Sequence, residues 1–64
     1  MVTIEERMKQ DIGKKFVWDD KQIEIINAFT CYEGDFYEYT INGEKTVHRI
    51  NIYKDWSFVE AIPN

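Results

Sequence analysis

"FYEYTINGEKTVHRI", residues 36–50, is the stretch on which the fold turns. At its centre Asn42-Gly43 suits a two-residue type I′ turn, whose central residues both need positive φ. In that register Ile41 pairs with Glu44, Tyr39 with Thr46 and Tyr37 with His48, and Asp35 faces Ile50. One face then carries Tyr37, Tyr39, Ile41, His48 and Ile50, with Ile52 beyond. The other carries Phe36, Glu38, Thr40, Lys45, Val47 and Arg49. A three-residue loop, with Ile41 opposite Lys45, would move Tyr37 and Tyr39 to the face of Arg49 and away from Ile50. The hydrophobic pattern therefore selects the two-residue turn.

Strand-like segments flank this hairpin on both sides. "KKFVW" (14–18) places Phe16 and Trp18 on one side, and "DDK" (19–21) is polar turn material. "QIEIINAFT" (22–30) alternates Ile23 and Ile25 against Gln22 and Glu24. Ile26 and Ala28 then break the alternation, which a β-bulge or burial on both faces would explain. "CYEGD" (31–35) reads as a loop. "EKTVHRINIY" (44–53), a Lys54-Asp55 turn and "WSFVEAI" (56–62) complete five strands, with Trp56 and Phe58 assigned to the core. At the other end, residues 3–12 read as a helix. Thr3 and Glu6 form a capping box, Glu5 and Lys9 an i,i+4 pair, and Ile4, Met8 and Ile12 an apolar stripe; Gly13 marks its end.

These elements predict one α+β domain over residues 1–64. A short N-terminal helix, 3–12, is followed over 14–62 by a five-stranded, strongly curved antiparallel sheet or small, partly open barrel. The layout is similar to that of SH3-like barrels, with no signature motif behind the likeness. A flat five-stranded sheet with the helix across one face is the alternative.

Composition bounds what such a domain can do. A 64-residue chain buries only about 60% of the surface it exposes when unfolded, so the core is thin. Apolar residues at 44% still argue for folding. Ten aromatics (two Trp, four Tyr, four Phe) cannot all fit inside so small a body, and an exposed cluster of them would be a partner surface. The net charge of −4, with eight basic residues scattered among twelve acids, disfavours general nucleic-acid affinity. One cysteine, Cys31, fits a reducing compartment. The N-terminus lacks an apolar signal region and no stretch is long enough to span a bilayer, so the expectation is a cytoplasmic protein without membrane contact.

Little in the chain points to catalysis or to cofactors. His48, the single histidine, falls on the inward side opposite Tyr37, where a partly buried ring needs only a polar partner. Cys31 sits beside acidic Glu33, and nothing around it activates a thiol. One His and one Cys make no zinc site unless two carboxylates converge on them. Asp19-Asp20 and Glu33-x-Asp35 lack calcium-loop spacing, and the three glycines form no phosphate cradle.

The outward side of the hairpin holds the stronger candidate. Phe36 opposite Arg49 offers an aromatic–guanidinium contact, and Glu38 lies diagonal to Arg49. Lys45, Val47, Asn51 and Tyr53 continue that face. Aromatic, aliphatic and arginine side chains together have the composition of binding hot spots. The expectation is a small non-catalytic interaction domain that binds a protein partner through a sheet face or strand edge. Homodimerisation by edge pairing is one form of this. Small, acidic, cysteine-poor chains are frequent among phage and mobile-element accessory proteins, an association and not a derivation from residues. Two alternatives stand beside that expectation, one on the same surface and one on another. One is single-stranded nucleic-acid binding by stacking on Phe36 and Tyr53 beside Arg49, Lys45 and Lys54. The other is an acidic surface of Asp19, Asp20, Glu33, Asp35 and Asp55 that occupies the basic site of a nucleic-acid enzyme.

Overall fold

The computed structural model describes residues 3–63. In chain order it contains α1 (Ile4–Asp11), β1 (Lys15–Trp18), β2 (Lys21–Cys31), β3 (Gly34–Ile41), β4 (His48–Asn51) and α2 (Trp56–Ala61). The strands form one antiparallel sheet in the order β1-β2-β3-β4. The sheet is open, with β1 and β4 at its edges. The architecture is α+β as expected, but with four strands; neither the fifth strand nor a barrel is found among the described residues.

The expected fifth strand is the helix α2. Alternation over 56–62 would have grouped Trp56 and Phe58 with Glu60. Helical spacing instead collects Phe58, Val59 and Ile62 on one side, and these three are buried. Trp56, assigned to the core by the strand reading, is 45% exposed. The helix starts after Asp55, whose Oδ1 accepts a 2.6 Å hydrogen bond from the Ser57 hydroxyl, and Pro63 follows its end. The aromatic and β-branched content that suggested a strand is a weak preference, and packing overrides it.

Both helices cover one face of the sheet. Phe58 lies at the centre, with the rings of Phe16, Trp18, Tyr37 and Tyr39 around it at centroid distances of 4.9–6.1 Å. Met8, Ile23, Ile25, Ile52, Val59 and Ile62 complete the core. Thr3 caps α1, its hydroxyl accepting from the Glu6 N–H at 3.2 Å. The stripe of α1 is shorter than expected. Met8 is buried, Ile12 is half-exposed, and the buried residue of the last turn is Asp11. Asp11 accepts from the Tyr37 hydroxyl (2.5 Å) and Lys14 Nζ (2.8 Å), with Arg7 Nε at 3.7 Å. Lys14 Nζ also donates to the Pro63 carbonyl at 2.8 Å, tying the segment between α1 and β1 to the residue that follows α2 and Ile62.

Three local features set which side chains face the core. Asp19 and Asp20 both have positive φ (54° and 60°) and make the two-residue turn between β1 and β2. In β2 the pairing runs Ile25↔Tyr39 and then Asn27↔Glu38, so Ile26 is an extra residue. The broken alternation thus marks a bulge. Asn42 and Gly43 adopt the expected positive φ (52° and 74°), and the Glu44 N–H closes the turn on the Ile41 carbonyl at 2.9 Å.

The strand after that turn does not start where expected. Residues 44–47 form a loop, and β4 pairs as Tyr39↔His48, Tyr37↔Ile50 and Phe36↔Asn51. This register differs by two residues from the tight-hairpin pairing of Tyr37 with His48. A shift of two keeps every side chain on its face, whereas a shift of one would have exchanged the faces. The shift brings Ile52 level with Asp35, whose carbonyl accepts the Ile52 N–H at 3.0 Å, and Ile52 is fully buried there. The turn itself is held by β2, since the Gln22 N–H donates to Asn42 Oδ1 and the Asn42 N–H to the Gln22 carbonyl.

Candidate functional site

The face of the sheet away from the helices carries a compact side-chain cluster. Phe29 on β2 and Phe36 on β3 are direct cross-strand partners, and their rings stack at 5.4 Å with an interplanar angle of 12°. The Arg49 guanidinium lies 5.0 Å from the Phe29 ring centroid. Such a contact contributes about 0.5–1 kcal/mol at an exposed site. Arg49 is opposite Glu38 on β4 and β3, and Nη2 reaches Glu38 Oε2 at 3.3 Å. Asn27 Nδ2 donates to Glu38 Oε1 at 2.9 Å. The Asn27 amide and Arg49 together hold the Glu38 carboxyl below the usual carboxylate range. Glu38 therefore anchors the guanidinium that covers the ring pair.

The expected surface residues divide into three groups. Phe36, Glu38 and Arg49 do share this face, although Arg49 stands opposite Glu38 and covers Phe29, where the tight-hairpin register had set it opposite Phe36. Lys45 and Val47 lie in the 42–47 loop, exposed and outside the strands. Asn51 and Tyr53 hold the neighbouring turns together. Asn51 Nδ2 donates to the Glu33 carbonyl (3.3 Å) and its Oδ1 accepts the Tyr53 N–H (2.9 Å). The Tyr53 hydroxyl donates to Asp35 Oδ2 at 2.7 Å, a bond that raises the phenol's pKa above its ordinary value. Phe29 was missed. Its signal was the broken alternation at Ile26: one extra residue turns Ala28 inward and Phe29 outward.

The other candidates are dispersed. His48 stacks on Tyr39 at 5.4 Å on the inward side, two residues along β3 from its expected neighbour Tyr37. Cys31 is exposed at the end of β2. The five acids do not make one surface. Asp19 and Asp20 turn at one end of β2 and Glu33 at the other; Asp35 is buried against the Thr30 and Tyr53 hydroxyls; Asp55 bonds Ser57 at α2. Among the described residues no three His, Cys, Asp or Glu side chains converge on a metal-sized space, and no helix is long and apolar enough to cross a membrane. Compared with known proteins, the chain matches no family model, no curated protein and no solved structure.

Proposed function

We propose that the protein is a small non-catalytic interaction domain that binds a protein partner through the outer face of β2, β3 and β4, inside a cell's cytoplasm. The observation that supports this reading is the Phe29–Phe36 ring pair with Arg49 laid over it, on the sheet face that neither helix covers. Aromatic rings and arginine are the side chains that dominate binding energy at protein interfaces. The Asn27–Glu38–Arg49 chain holds the guanidinium in place before any partner arrives, so less side-chain entropy is lost on binding.

The test is comparative capture from the native host, using the wild-type chain and the Phe36→Ala and Arg49→Ala variants, each checked for an unchanged fold. A partner held by the wild type and lost by both variants supports the reading. Identical capture by all three removes it. Titration with a labelled single-stranded oligonucleotide at low salt separates the alternative, because base stacking would shift the amide signals of residues 36–53.

A further inference from the structure

The free edge of β1 is a self-complementary strand, and we infer that two copies of the protein pair there, antiparallel, into one continuous eight-stranded sheet. The stretch "KFVWDD", residues 15–20, has a lysine at one end, two aspartates at the other and apolar residues between. β1 is an edge strand with β2 on one side. The Ile25 N–H donates to the Lys14 carbonyl at 3.0 Å, and the register runs Lys15↔Glu24 to Trp18↔Lys21. By antiparallel alternation Phe16 and Trp18 direct their backbone groups to β2, and Lys15 and Val17 direct theirs to the open edge.

One register satisfies backbone, apolar and charged groups together. With the two-fold axis at Val17, the two Val17 residues exchange N–H···O=C bonds. Phe16 then stands opposite Trp18 of the second copy, and Lys15 comes level with its Asp19-Asp20 turn. Shifting the pairing by two residues either way sets Lys15 or Asp19 opposite Val17 and loses the charge match. Lys15 has no ion-pair partner among the described residues, and Asp19 has only a loose one, Lys21 at 3.6 Å. Val17, at the proposed axis, is 63% exposed. Exposed edges are ordinarily blunted by proline, a bulge or an unfavourable charge, and β1 carries only Lys15, which this pairing neutralises. The β4 edge differs, since pairing about Arg49 would set two arginines against each other. This inference is independent of the outer-face reading: a β1 dimer leaves Phe29, Phe36 and Arg49 uncovered.

The test is sedimentation equilibrium on the wild-type chain from about 10 μM to about 1 mM, a range that brackets weak association. Self-association to a dimer is expected, with concentration-dependent amide shifts confined to residues around 15–19. Val17→Pro removes a donor that the monomer's sheet does not use, and should abolish the dimer while keeping the folded spectrum. Lys15→Glu and Asp19→Lys should each weaken association about tenfold or more, and an equimolar mixture of the two should associate again, since both contacts are then of opposite charge. A wild-type chain that stays monomeric throughout overturns the proposal. So does a dimer that Val17→Pro leaves intact, or a mixture no tighter than its components.

Discussion

The Tyr37 hydroxyl donates a 2.5 Å hydrogen bond to Asp11 across the core, from the middle of β3 to the last turn of α1. Asp11 is 1% exposed, and its charge is balanced by Lys14 and Arg7. Asp11→Ala takes the carboxylate from the phenol and two cations. Because Lys14 and Arg7 are partly solvated and keep the Pro63 and Val59 carbonyls, the cost should fall below that of breaking a fully buried pair, about 3–5 kcal/mol. Tyr37→Phe removes one bond to a charged group, about 1.5–3 kcal/mol. Urea titration should show the double variant less destabilised than the sum of the two, by about 0.5–3 kcal/mol. Strict additivity would mean that the two groups are not coupled.

The same pair sets the response to alkali. Burial first, then the Asp11 hydrogen bond, raises the Tyr37 pKa far above its ordinary value; burial also raises that of Tyr39. In the folded state these phenols keep protons that the unfolded chain releases near pH 10. Their contribution is complete below that pH and is lost as pH rises above it. Urea midpoints measured between about pH 9 and pH 11 should fall for the wild type and fall less for Tyr37→Phe.

Phe58 and Trp56 should respond in opposite ways. Phe58→Ala empties the centre of the aromatic cluster and costs about 3–5 kcal/mol, enough to unfold a domain this small. Trp56→Ala, at a half-exposed site before α2's buried face, should cost about 1 kcal/mol or less. Equal losses at the two positions would restore the strand reading of 56–62.

Gly34 is required by both its backbone and its neighbour. Its φ is +134°, and an added Cβ would lie 3.0 Å from Asn51 Nδ2. Gly34→Ala should cost about 1–3 kcal/mol in thermal or urea unfolding. The amide signals of Glu33 and Tyr53, both fastened by Asn51, should shift with it.

How much of this was legible in the sequence depends on the scale of the signal. The Thr3 cap, the positive-φ step at Asn42-Gly43 and the interruption at Ile26 are local, and each appears in the fold. The sorting of the hairpin into two faces also survived, because the register error was an even number of residues. The α2 helix was present as Phe58, Val59 and Ile62, but aromatic and β-branched residues in a short segment favour either state until a surface is available to pack on. The Asp11 network was invisible, since an acid in the last turn of a helix reads as solvated until Tyr37, Lys14 and Arg7 are placed around it. The outer-face cluster was half read, with Phe36, Glu38 and Arg49 found and Phe29 not.

The extra residue in β2 makes length changes in this sheet matter by parity. Inserting or deleting two residues preserves what each side displays, as residues 44–47 illustrate between β3 and β4. Loss of Ile26 itself would only remove the bulge, leaving Ile25↔Tyr39 followed by Asn27↔Glu38 with Phe29 still beside Phe36, whereas a change of one beyond the bulge, such as loss of Ala28, would swing Phe29 toward the helices. Relatives of this domain that keep the aromatic pair are therefore expected to differ in strand length by even steps, or to gain or lose an odd residue at the bulge itself.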